Sequence, residues 1–160
     1  MIPTLVICLS FLSGLLMSSP AQVQAVKLME FGKYNCEDEM SKLDYLAVQL
    51  QDNPDTYGYI IVYGGRRGMR RGEVRVRAAR MRRYLVETRG INSDRVAVVD
   101  GGFRENLTVE FWRLARGEKP PAVTSTVDPK KVKFRKGKFE GFEEPGCFPD
   151  RLPVPRARPA

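Results

Sequence analysis

Histidine is absent from the 160-residue chain. Its absence excludes Ser-His-Asp and Cys-His nucleophile systems, His-ligated zinc and any histidine pH switch. Cysteine is confined to Cys8, Cys36 and Cys147. Charge is missing from the first 25 residues, so all 46 charged side chains fall on the rest. Inside that uncharged stretch, Leu5 to Met17 is a 13-residue apolar run, too short to span a bilayer comfortably. Val23-Gln24-Ala25 follows, with the small residues that a signal peptidase site needs. The expectation, from segment length and flanks, is a secretory signal peptide over residues 1–25, cleaved after Ala25, with a retained anchor or a buried core segment as the alternatives; Met-Ile-Pro-Thr lacks the usual Lys or Arg. No later segment approaches membrane-spanning length, and the mature chain is expected to be exported.

What remains has a globular composition, 42% apolar and 29% charged, with 27 basic against 19 acidic residues and a formal charge of +8. Its length suits one compact domain with some chain left over. Export leaves Cys36 and Cys147 as the only pair in an oxidising compartment, and a disulfide between them is expected. Closing that loop of roughly 110 residues is worth about 4 to 5 kcal/mol in the chain-entropy model.

Periodicity predicts a strand over 27–32, then a helix opened by Asn35 and the acidic Glu37, Asp38 and Glu39, with Met40, Leu43, Ala47 and Leu50 as its apolar stripe. Tyr57 to Tyr63 reads as a central strand covered on both faces, ended by Gly64-Gly65. A second helix starts at Glu73, with Val74, Ala78, Met81 and Leu85 on one face, and Gly90 closes it. Arg95 to Val99 is a third strand, Asp100-Gly101-Gly102 a turn, and Leu107 to Leu114 a fourth strand forming a hairpin with the third. The expected fold class is therefore α+β, in the order β-α-β-α-β-β, with at least one parallel strand pair, over a domain of residues 26–118. Residues 119–160 carry ten basic and five acidic residues and few apolar ones. They are expected to form a basic, Pro-rich extended tail, touching the domain through 132–134 and 139–142 and pinned by Cys147.

Between Arg66 and Arg83 stand nine arginines, no lysine and one acid, Glu73. The remainder of the domain is net negative, so the domain is polarised. Arginine forks suit carboxylate and phosphate, and Gly64-Gly65-Arg66-Arg67-Gly68 sets them on a loop ahead of a helix. Solvated arginines pairing with Glu73, Glu87 or nearby Asp residues are the plainer reading. An enzyme is not expected: no nucleophile motif, metal-ligand spacing or phosphate-cradling glycine signature is present, and neither cofactor nor metal is implied.

The element order, a strand ending in Gly64, Arg77-Ala78 followed by Tyr84-Leu85, then Gly90-Ile91, Arg95-Val96, Gly101-Gly102-Phe103-Arg104-Glu105 and Val109-Glu110 together resemble the OmpA-like C-terminal domain family. Phe31-Gly32-Lys33 fits the same pattern, and the resemblance covers roughly residues 27–114. It implies a non-enzymatic module, periplasmic or outer-membrane-associated, with an extracellular place as the alternative, that holds peptidoglycan, an Asp and an Arg gripping the ammonium and carboxylate of diaminopimelate. The arginine falls on Arg77. Where the family commonly has His-Thr-Asp after its glycine, this chain has Gly65-Arg66-Arg67, so the acidic jaw is replaced by a cation that would repel an ammonium group by about 1 to 4 kcal/mol at 4 Å.

Three functions follow from these residues. The first is an OmpA-like module binding an anionic cell-wall or envelope polymer, such as peptidoglycan carboxylates or lipid phosphates, through Gly64, Gly65, Arg66, Arg67 and Arg77. The second is a scaffold of the same fold that has lost glycan binding and joins an outer-membrane protein complex. The third is a nucleic-acid or other polyanion binder, which export and the lack of aromatics between Arg66 and Arg83 disfavour.

Overall fold

The computed structural model describes residues 25–139. Most of the expected signal segment, Cys147, Phe142 and the Pro-rich end lie outside the described residues. The chain runs β1 (Val26–Phe31), α1 (Cys36–Asp52), β2 (Thr56–Gly65), β3 (Arg67–Arg71), α2 (Glu73–Arg83), β4 (Val96–Arg104), β5 (Thr108–Ala115) and β6 (Lys133–Lys138). A π-helical turn (Tyr84–Thr88) extends α2, and short 3-10 turns precede β4 and β6. The protein is mixed α+β. None of its described helices is long and apolar enough to cross a membrane.

Local signals explain the helices. Asn35 caps α1 by accepting from the Asp38 amide at 2.8 Å, and three acids in the first turn complement the helix dipole. Leu43, Leu46, Ala47 and Leu50 of α1 are buried against the sheet, as the stripe predicts. From α2 and its extension, Val74, Met81 and Leu85 join the same core with Ile60 and Val62 of β2 and Phe111 of β5.

The main sheet has the order β1-β5-β2-β4. β2 and β4 are parallel, as two β-α-β steps require, whereas β5 is antiparallel to both β1 and β2. The expected hairpin of the last two sheet strands does not form, because β2 lies between them. The connection from β4 to β5 instead crosses the end of β2, where a Cβ on Gly65 would stand 2.9 Å from the Leu107 amide nitrogen. Gly64 is as tightly covered, its Cβ position lying 2.7 Å from the Phe103 ring. Gly65 thus admits the crossing connection, and Gly64 admits the ring of its partner on β4.

Asp100-Gly101-Gly102 is not the expected turn either, since it lies inside β4. A Cβ on Gly101 would meet the Tyr63 ring at 2.5 Å. Tyr63 is fully buried, hydrogen-bonded through its hydroxyl to the Thr124 amide at 3.1 Å and covered by the Arg104 guanidinium at 3.6 Å, so its ring cannot move aside cheaply. Gly101→Ala is expected to cost about 1 to 3 kcal/mol by overpacking, checked as a drop in urea midpoint with unchanged slope.

The central strand is covered on both faces by different means. Helices cover Ile60 and Val62, while the far face, with Ile61 and Tyr63 fully buried, is roofed partly by the chain that follows β5. Thr126 and Val127 donate their amides to the Phe103 carbonyl, Ser125 bonds Phe103 from its hydroxyl, and Val127 is buried. This strap leads into β6, which pairs in parallel with β3 as a separate two-stranded sheet.

A polar network sits on that far face. Glu110 of β5, 4% exposed, accepts from Arg104 at 2.8 Å, Trp112 at 3.0 Å and Lys27 at 3.3 Å. Burial alone would raise its pKa, but these three donors outweigh burial and hold the carboxyl below its ordinary 4.5. A depressed folded pKa means stability gained above the unfolded value and lost as pH falls from about 4.5 through the folded one. Glu110→Gln is expected to flatten that acid limb, measured as thermal midpoint between neutral pH and pH 3.

Candidate anion-binding surface

The arginine window folds into the end of β2, strand β3 and helix α2. Gly72, with φ of 77°, turns the chain from β3 into α2. The structure does not bring Arg66, Arg67 and Arg77 to one cleft. Arg66 reaches back to Glu105 on the crossing connection, Nη1 to Oε1 at 3.1 Å, and both side chains are exposed. Arg67 begins β3, exposed, with no ion pair among the described residues.

Arg77 is 7% exposed. Its Nε and Nη2 donate to Glu73 Oε1 at 3.0 and 2.7 Å, while Tyr34 and Phe139 offer ring faces at 5.1 and 4.9 Å. Burial disfavours its charge, yet the Tyr34 phenol and Glu73 carboxylate more than compensate and raise its pKa. The second Glu73 oxygen accepts from the Arg70 amide at 2.9 Å. An acid one turn away on the same helix therefore occupies the fork that the family resemblance would give to a ligand carboxylate.

Arg80 has a still more internal role. It grips Glu39 of α1 through two parallel bonds, 2.9 and 2.7 Å, where Glu39 has no solvent exposure. Burial pushes the Glu39 carboxyl upward, against the pull of Arg80, and burial prevails. Arg82 donates to the Ser93 carbonyl at 3.2 Å.

The cations left over stand elsewhere. Arg70, Arg71 and Arg75 line a groove of about 160 Å³ with Met69, Val74, Phe103 and Phe134 as its apolar wall. None of these three arginines has an ion pair among the described residues, and Arg71 lies over the Phe134 ring at 4.8 Å. Glu73 and Asp100 also line the groove. The first holds Arg77, and one oxygen of the second accepts from the Gly102 amide at 2.9 Å. In the sequence these arginines belong to the same basic window as the structural ones. The available signal was Glu73 four residues before Arg77, the favourable helical ion-pair spacing.

Among the described residues, no group of His, Cys, Asp and Glu is placed to hold a metal ion. Cys36 is fully buried at the start of α1. Comparison of the chain with protein-family models and with curated proteins finds no match. The folded domain buries Arg77 and Arg80, pairs Arg66 with Glu105 at the surface, and leaves a basic corner facing outward.

Proposed function

We propose that this is an exported, non-catalytic OmpA-like module that attaches to an anionic component of the cell envelope. The observation that carries the reading is the set of Arg67, Arg70, Arg71 and Arg75, clustered on β3 and the first turn of α2 without acidic partners among the described residues. Internal arginines serve folding; outward ones of a single sign serve recognition or long-range steering. The parallel β2/β4 pair and the β-α-β-α-β-β succession of the main sheet and its helices support the family reading.

The contact surface differs from the one the resemblance implies. Arg77, already held by Glu73, is a structural residue in this reading, and the grip moves to the β3 corner. Purified cell-wall sacculi are expected to retain the mature protein at low salt and release it as salt rises. Arg70→Gln with Arg75→Gln is expected to reduce retention at least tenfold, at about 1 kcal/mol or more per lost charge-assisted bond. Retention by neither sacculi nor anionic lipid leaves the second reading, a scaffold of the same fold, which the pairing of Arg77 with Glu73 favours. The disulfide between Cys36 and Cys147 belongs to the same proposal. It is expected to appear as two alkylated thiols after reduction and none before, by intact mass.

A further inference from the structure

Strands β3 and β6 make a ribbon whose charge pattern works against its own pairing. Its register sets Arg67 opposite Lys133, Arg70 opposite Arg135 and Arg71 opposite Lys138. Both Arg67–Lys133 and Arg70–Arg135 set a cation beside a cation, with an irregularity in register between them, and neither strand contains an acid. Like charges directly opposite each other are destabilising, and a two-stranded sheet is marginal to begin with. Among the described residues no ion pair involves Arg67, Arg70, Arg71, Lys133, Arg135 or Lys136.

What holds the ribbon is backbone and apolar contact. The Lys133 amide donates to the Arg66 carbonyl at 2.8 Å, and Phe134 packs edge-on against Phe103 with centroids 5.9 Å apart. The basic side chains are therefore supported from below and left outward: Arg67, Arg71, Lys133, Arg135 and Lys136 are exposed. The strap that roofs the far face of the sheet delivers β6 to this position. A basic stretch of sequence with little capacity to form a core thus becomes half of a fixed cationic surface, continuous with the groove of Arg70, Arg71 and Arg75.

We infer that this ribbon and its groove dock on the phosphate headgroups of an anionic phospholipid surface. The inference rests on the anion-binding reading above and names its ligand class. Three features select phospholipid. Two strands of five and six residues present a patch roughly 20 Å long, suited to several headgroups of a plane at once. The groove beneath three guanidinium forks has an apolar wall, matching a phosphodiester and the first carbons attached to it. Base stacking is closed off, because the one ring in the ribbon, Phe134, already has Phe103 against it and Arg71 over it.

The test uses the full mature chain in co-sedimentation with phosphatidylglycerol-containing vesicles, pure phosphatidylcholine vesicles, sacculi and, in competition, soluble polyphosphate and duplex DNA. Partition onto phosphatidylglycerol vesicles but not phosphatidylcholine, reversed by salt, is expected. The triple variant Lys133→Gln, Arg135→Gln, Lys136→Gln should partition on the order of a hundredfold less, at about fivefold per cation removed. Its thermal midpoint without vesicles should be unchanged or higher, since facing repulsion is relieved. A folded triple variant that partitions like the parent overturns the inference. So does a parent chain that sediments with sacculi but ignores the vesicles, an outcome that leaves the broader function standing; binding to neither removes both. Polyphosphate or DNA held more tightly than the vesicles likewise overturns the lipid assignment.

Discussion

Arg80→Met is expected to lower stability by about 3 to 5 kcal/mol at neutral pH, among the largest effects of any single substitution in the arginine window. The change removes one partner of a doubly hydrogen-bonded pair and leaves Glu39, with no solvent exposure, without its main compensating charge. The loss has a characteristic pH dependence. Glu39 already has its folded pKa raised by burial, and removing Arg80 takes away the main force opposing that rise. A carboxyl whose folded pKa exceeds its unfolded one gains stability by protonation; that gain is complete below the unfolded pKa and vanishes as pH rises through the folded value. The gap between parent and variant should therefore narrow on acidification toward pH 4 and be widest at pH 7 and above. Urea titrations at several pH values measure it directly. A gap independent of pH would mean that Glu39 is not the group left stranded.

Arg77→Ala is the second. The family resemblance makes this residue the carboxylate grip, and a ligand role predicts lost binding with little change in folding. The pair with Glu73 predicts the reverse. With the guanidinium gone, Glu73, 6% exposed, keeps among the described residues only the Arg70 amide as a strong donor, and the ring faces of Tyr34 and Phe139 lose their cation. A loss of about 3 kcal/mol or more is expected from stranding that carboxylate. Folded Arg77→Ala should still be retained by anionic material within about twofold of the parent, because the outward cations are untouched. Glu73→Gln gives the complementary check: it strands the cation instead, and should cost a similar amount without weakening retention.

The elements legible in the sequence are those whose signals are local. Asn35 with three following acids marks a helix start wherever it occurs, and the Leu43, Ala47, Leu50 spacing fixes which face is buried. The apolar run of β2 could only be an interior strand. The parts not legible depend on distant partners. β3 is five residues, three of them arginine, and without β6, more than sixty residues away, nothing in it resembles a strand. Gly101 and Gly102 look like a turn because glycine usually marks one, yet Gly101 is needed for the approach of the Tyr63 ring. The same holds at the surface that carries charge. Arg80 and Glu39 are 41 positions apart and Arg66 and Glu105 39 apart, so composition alone could not sort internal arginines from outward ones.

The route of the strap also sets an order of assembly. A growing chain that has emerged only as far as Glu118 already contains β1, α1, β2, α2, β4 and β5, yet Tyr63 then lacks the Thr124 amide, and the edge formed by Phe103 lacks the amides of Thr126 and Val127. Nascent protein released at that length would carry an unroofed apolar sheet surface, the kind of exposure that draws chaperones and promotes association. The strap emerges before β6, so the residues that roof this face leave the ribosome ahead of the strand that completes the basic ribbon.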